Sequence, residues 1–146
     1  MPTPEQNLWH RLKNSLPTGT HSTRIENRAG TGVPDAHIVC EGKAFWVELK
    51  ITKHHAIDMR PSQIAWNYGY AQAGGVSFIL VSRPLKGDAF LFGGGDVLRL
   101  ACGLCLRPSS LKIREPRSVR LAACSFFRVS CLMSKENPRR VYTRRG

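Results

Sequence analysis

The chain is poor in negative charge. Its 146 residues carry 10 Asp and Glu against 22 Lys and Arg, a formal net charge of +12. Such an imbalance points to a polyanionic partner, and nucleic acid is the commonest. Long apolar runs are also missing: none approaches the roughly 20 residues that a bilayer span requires. The N-terminus reads Pro2, Pro4, Glu5, Gln6 rather than a basic segment followed by an apolar one, so no signal peptide is evident. The expected location is the cytoplasm of a bacterial or phage-infected cell. Cysteines number five (Cys40, Cys102, Cys105, Cys124 and Cys131), and an odd count without an export signal argues against a disulfide framework. Cys102-Gly-Leu-Cys105 has zinc-knuckle spacing, and Cys124 and Cys131 could complete four ligands. The two pairs are mismatched, and their flanks (Leu100, Leu104, Phe126, Phe127) are apolar. Buried free thiols are therefore favoured over zinc. No internal repeat is present.

The length suits one domain. The charge within it is uneven. Residues 107–146 hold eleven Lys and Arg against Glu115 and Glu136, a net of +9; residues 1–106 hold eleven against eight, a net of +3. We expect a core over 1–106. The basic extension, 107–146, is either part of the same domain or a tail that contacts DNA or a second subunit.

Leu8, Trp9, Leu12 and Leu16 recur at helical spacing, so 4–16 reads as a helix that Pro17 and Gly19 end. Residues 21–28 are a candidate strand, followed by a Gly-rich connection. Residues 35–41 and 44–51 read as two strands joined at Gly42-Lys43, a β-hairpin. A loop with His54 and His55 leads to a helix over 61–73, opened by Pro61 and stopped by Gly74-Gly75. The apolar run 76–83 suggests a buried central strand. Residues 88–92 suit an edge strand and 96–106 a short helix. After Pro108 the pattern weakens. The order helix, three strands, helix, strand describes an α/β fold with a mixed sheet flanked by helices.

The hairpin carries the chemical argument. With Glu41 opposite Ala44, Asp35 falls opposite Lys50 and His37 opposite Glu48. Side-chain alternation then puts Asp35, Glu48 and Lys50 on one face, beside His37 and Trp46. The reverse face is Ala36, Ile38, Cys40, Phe45, Val47, Leu49 and Ile51, as a core requires. Two carboxylates this close repel unless a cation lies between them. Oxygen donors with open positions suit Mg2+, with Mn2+ able to substitute. A bare Asp/Glu/Lys salt-bridge cluster would show the same three residues.

Gly32-Val-Pro-Asp35, twelve intervening residues and Glu48-Leu-Lys50 together resemble the PD-(D/E)xK nuclease superfamily. The similarity is strongest to its VRR-NUC group and to phage Holliday junction resolvases. It runs from about Glu5 to Arg83 and includes Arg24-Ile-Glu26-Asn, Gln63-Ile-Ala-Trp66, and Gly74-Gly75 before Phe78-Ile-Leu-Val81. The resemblance implies a restriction-endonuclease-like αβββαβ core and a metal-dependent DNA endonuclease. Asp35 and Glu48 would bind the metal, with the Leu49 backbone carbonyl as a third ligand and Glu26 or Glu5 as an assisting acid. Lys50 would be the catalytic lysine, and Gln63 would support it or the scissile phosphate. Lys53, His54, Arg60 and Arg28 are expected to touch DNA. A Holliday junction resolvase acting as a homodimer on branched DNA is the favoured expectation, since two-fold symmetry matches a four-way junction. A flap, fork or restriction-like nuclease, or a non-catalytic DNA-binding module, stays open beside it.

Overall fold

A computed structural model describes residues 1–25, 31–53, 56–86, 88–103 and 111–113. The chain begins with helix α1 (Pro4–Ser15). Thr3 caps it: its hydroxyl accepts from the Gln6 backbone N–H at 3.2 Å, while the Gln6 side chain accepts from the Thr3 N–H at 2.8 Å. Pro4 follows at the first helical position, where its missing N–H costs nothing. Leu8, Trp9 and Leu12 form the buried stripe.

Strand β1 (His21–Arg24) precedes the hairpin of β2 (Ala36–Cys40) and β3 (Lys43–Ile51). Helix α2 (Pro61–Gln72) then crosses over to β4 (Ser77–Arg83). Next come β5 (Asp88–Gly93), α3 (Val97–Ala101) and β6 (Leu111–Ile113). One six-stranded sheet runs in chain order from β1 to β6. Every neighbouring pair is antiparallel except β3 and β4, which α2 joins in parallel. The αβββαβ order expected from the sequence is thus present.

Two details correct the sequence-based expectation. Cys40 pairs with Lys43, so the turn is Glu41-Gly42 rather than Gly42-Lys43. Both turn residues have positive φ, 51° and 73°, the backbone of a two-residue primed turn. The register therefore differs by two residues from the expected one. His37 faces Trp46, not Glu48. A shift of two keeps every side chain on its face; a shift of one would have exchanged the faces. The second correction concerns β5, which is not an edge strand because β6 pairs with its outer side.

The sheet buries two apolar clusters. On one side α1 lays Leu8, Trp9 and Leu12 over Ala36, Ile38, Cys40, Phe45, Val47, Leu49, Phe78 and Leu80. On the other, Met59, Ile79, Val81, Phe90, Phe92, Val97 and Leu100 pack beneath α3 and the start of α2. Among the described residues no helix is long and apolar enough to cross a membrane. Cys40 is buried, whereas Cys102 is exposed at the end of α3, not buried as expected. Cys105, Cys124 and Cys131 lie outside the described residues.

Candidate active site

Continuing the β2–β3 register by one residue sets Asp35 against Glu48, closer than the sequence alone suggests. Asp35 enters from the buried Pro34, and its carboxylate accepts the Leu49 backbone N–H at 2.7 Å. The loop before it is fixed at Gly32, which has φ +90°. A Cβ there would stand 2.2 Å from the Ser62 carbonyl oxygen. Only glycine lets this loop press against the first turn of α2.

Glu48 is 1% exposed, in the middle of β3. Burial, followed by the charge of Asp35, pushes its carboxyl up to about 7, against the opposing charges of Lys50 and Arg60. Asp35 is raised as well, first by burial; the Leu49 N–H works against that rise, and the charge of Glu5 adds to it. Lys50 Nζ lies 3.4 Å from Glu48 Oε1 and donates to Gln63 Oε1 at 2.8 Å. Gln63, buried on α2, donates through its amide nitrogen to Glu48 Oε1. The Gln63 oxygen also accepts the Arg60 backbone N–H at 3.1 Å, which ties the network to the start of the helix. Gln63 is thus a buried part of the network and not a surface amide. Asp35, Glu48, Lys50 and Gln63 form one contiguous set.

The other sequence candidates divide. Glu5 reaches the rim of the site: it pairs with Arg24 at 3.4 Å and acts on Asp35 through its charge. Arg60 is exposed at the start of α2, and Lys53 is exposed beyond β3. Glu26, Arg28 and His54 fall outside the described residues. Two further residues also belong to this region: Arg24, named in sequence only within the Arg24-Ile-Glu26-Asn run, and Asn67, which the sequence does not single out. Arg24 lowers the carboxyl of Asp35; the sequence signal is its place opposite Ala36 once β1 is laid against β2. Asn67 is wholly buried and donates to the Gln63 carbonyl at 3.0 Å. Its signal is the four-residue helical step from Gln63.

The donor set fits a divalent cation. Glu48 Oε2 is buried and has no hydrogen-bond partner among the described residues. An orphaned carboxylate oxygen next to a second carboxylate is costly unless a cation compensates both. No group of three His, Cys, Asp or Glu gathers among the described residues. A cation held by Asp35 and Glu48 would fill its other positions with a backbone carbonyl and water, as Mg2+ commonly does.

An α/β mixed sheet with its polar site at the carboxyl half of a central strand, under a crossover helix, is the class that fold and site define. No family model matches the chain, and no curated protein sequence matches it. Among solved structures it is similar to Hjc, a Holliday junction resolvase from the archaeal hyperthermophile Archaeoglobus fulgidus. The two share 18% identity over 79% of this chain and 87% of that one, with a TM-score of 0.49. The functional reading rests on the residues of the site instead.

Proposed function

We propose that this chain is a metal-dependent DNA endonuclease that hydrolyses phosphodiester bonds, selective for branched DNA. Our reading is a Holliday junction resolvase working as a homodimer. The observation that carries it is the unpartnered Glu48 Oε2 beside Asp35, with the other oxygen, Oε1, joined to Lys50 through Gln63. Asp35 and Glu48 would hold a divalent cation, with the Leu49 carbonyl and either Glu5 or Glu26 assisting. Such an ion, once bound, neutralises charge on a phosphoryl oxygen and lowers the pKa of water.

The remaining work falls to the chain's own side chains. Lys50 presents its ammonium one pleat beyond Glu48 on the same face, where it can meet the negative charge that builds on a pentavalent phosphate. Gln63 fixes that ammonium and the inner oxygen of Glu48 at once, so neither is free to rotate. Arg60 and Lys53, both exposed, would meet the flanking phosphates. Phosphate contacts of this kind make binding fall steeply with salt.

A panel of labelled four-way junctions, flaps, forks and duplexes in Mg2+ tests the proposal. Symmetrical cutting of the junction by a dimer is the expected result. Equal cutting of continuous duplex, or an active monomer, would remove the resolvase reading. Cleavage unchanged by both Asp35→Asn and Lys50→Ala would remove the site assignment.

A further inference from the structure

The face that carries the carboxylates continues into a row of rings. His37 lies two residues past Asp35, and Trp46 two residues before Glu48. By alternation both share the side of those carboxylates, about 7 Å further along the strands. His37 and Trp46 are register partners with centroids 4.9 Å apart. Trp46 meets Trp66 of α2 at 5.6 Å, and Trp66 stacks on Tyr70 at 4.7 Å. Trp66 sits nearly one turn beyond Gln63, so the row keeps step with the polar site.

These rings are not core. Neither apolar cluster contains His37, Trp46, Trp66 or Tyr70. Helix α2 turns Gln63 and Asn67 inward, and all four ring residues keep part of their surface exposed. Trp66 packs against both Trp46 and Tyr70 while keeping part of its surface exposed. At tilts of 56° and 67°, the first two contacts are not closed stacks. Aromatic surface of this kind suits a flat π-system.

We infer that the row is a stacking platform for an unpaired nucleobase adjacent to the phosphate held at Asp35 and Glu48. This rests on the nuclease reading and sharpens its substrate to DNA with a splayed nucleotide at a branch. Inside a continuous duplex each base already has neighbours on both faces; an unpaired base offers one. The occupant is nucleic acid rather than an apolar peptide because the basic Lys50 and Arg60 border the same site.

The test places 2-aminopurine at the first unpaired position of a flap and at a junction branch point, and binds each to the Asp35→Asn protein. Its fluorescence is expected to fall severalfold on binding, and to stay unchanged when the label lies within a duplex arm. Trp66→Leu should abolish the fall and weaken branched-DNA affinity about tenfold relative to duplex affinity. Trp66→Phe should retain most of both, which separates stacking from misfolding. Wild-type protein that cuts branched DNA while the label shows no quenching overturns the platform alone. So does a Trp66→Leu protein with equal losses on branched and duplex DNA. Quenched binding without any cleavage by the wild type sinks the nuclease reading and upholds the platform. A wild type that binds no DNA sinks both.

Discussion

The two faces of β3 sit on one strand and obey opposite rules. Towards α1 it shows Phe45, Val47 and Leu49, each at most 3% exposed and each packed in hydrocarbon. Towards α2 it shows Trp46, Glu48 and Lys50, met by Trp66 and Gln63 rather than by leucines. All three unpartnered buried polar atoms among the described residues, on Glu48, Asn67 and Ser77, lie on this second side. The α1 face holds the fold together. The α2 face spends part of that stability on a buried charged site that leaves one oxygen of Glu48 without a partner among the described residues.

This contrast is open to attack by substitution. Glu48→Gln should break it most clearly. Cleavage should fall by about 10²–10³-fold, in line with the loss of a central electrostatic group, while metal-free stability should hold or rise. The pH dependence gives the sign. Glu48 has a folded pKa of about 7 against 4.5 for the free group, so the folded state binds the proton more tightly. Stability without metal is then fullest below pH 4.5 and is lost as pH rises through about 7, by about 3 kcal/mol. Asp35 shifts in the same direction. Thermal melts in EDTA across that range should show the decline, and Glu48→Gln should flatten it. A flat wild-type profile would refute the unfavourable burial.

Leu12→Ala is the counterpart on the α1 face. It should cost about 2–5 kcal/mol in denaturant unfolding, with cleavage by the folded fraction retained. If activity falls more than stability does, the two faces are not independent. Gly32→Ala should act on both: a φ of +90° and a clash with the Ser62 carbonyl should cost about 1–3 kcal/mol. Displacement of Asp35 relative to Glu48 should weaken Mg2+ affinity, measured by calorimetry, beyond what Leu12→Ala does. The smallest effect belongs to Thr3→Ala, about 1 kcal/mol from a lost helix cap. Any change in junction cleavage at saturating Mg2+ would be unexpected there.

Much of this was readable in the residues because period two is robust. The hairpin turn fell one residue from its expected place, and the register changed by two. Yet Asp35, Glu48 and Lys50 stayed on one face, because a symmetric displacement of turn and pairing preserves parity. Helix α1 was legible from Leu8, Trp9 and Leu12, since its buried stripe is hydrocarbon. Helix α2 was legible in extent but not in orientation. Its inward residues are Gln63 and Asn67, and hydrophobic periodicity has no means of pointing an amide at a carboxylate. The role of β6 was hidden, since Leu111–Ile113 is too short to stand out and depends on β5 for its pairing.

The parallel join of β3 to β4 has a consequence for how the site comes into being. The β2–β3 hairpin closes through a two-residue turn, so Asp35 and Glu48 meet through local contacts. Gln63 arrives only when α2 has wound back over the sheet, a slower closure across a longer stretch of chain. Until then Glu48 is open to water and bears no burial cost. Docking of α2 is thus the step at which the charge is desolvated, and a cation held by Asp35 and Glu48 would favour the docked helix by mass action. Refolding in Mg2+ and in EDTA should therefore differ late, at the crossover, and agree early, at the hairpin.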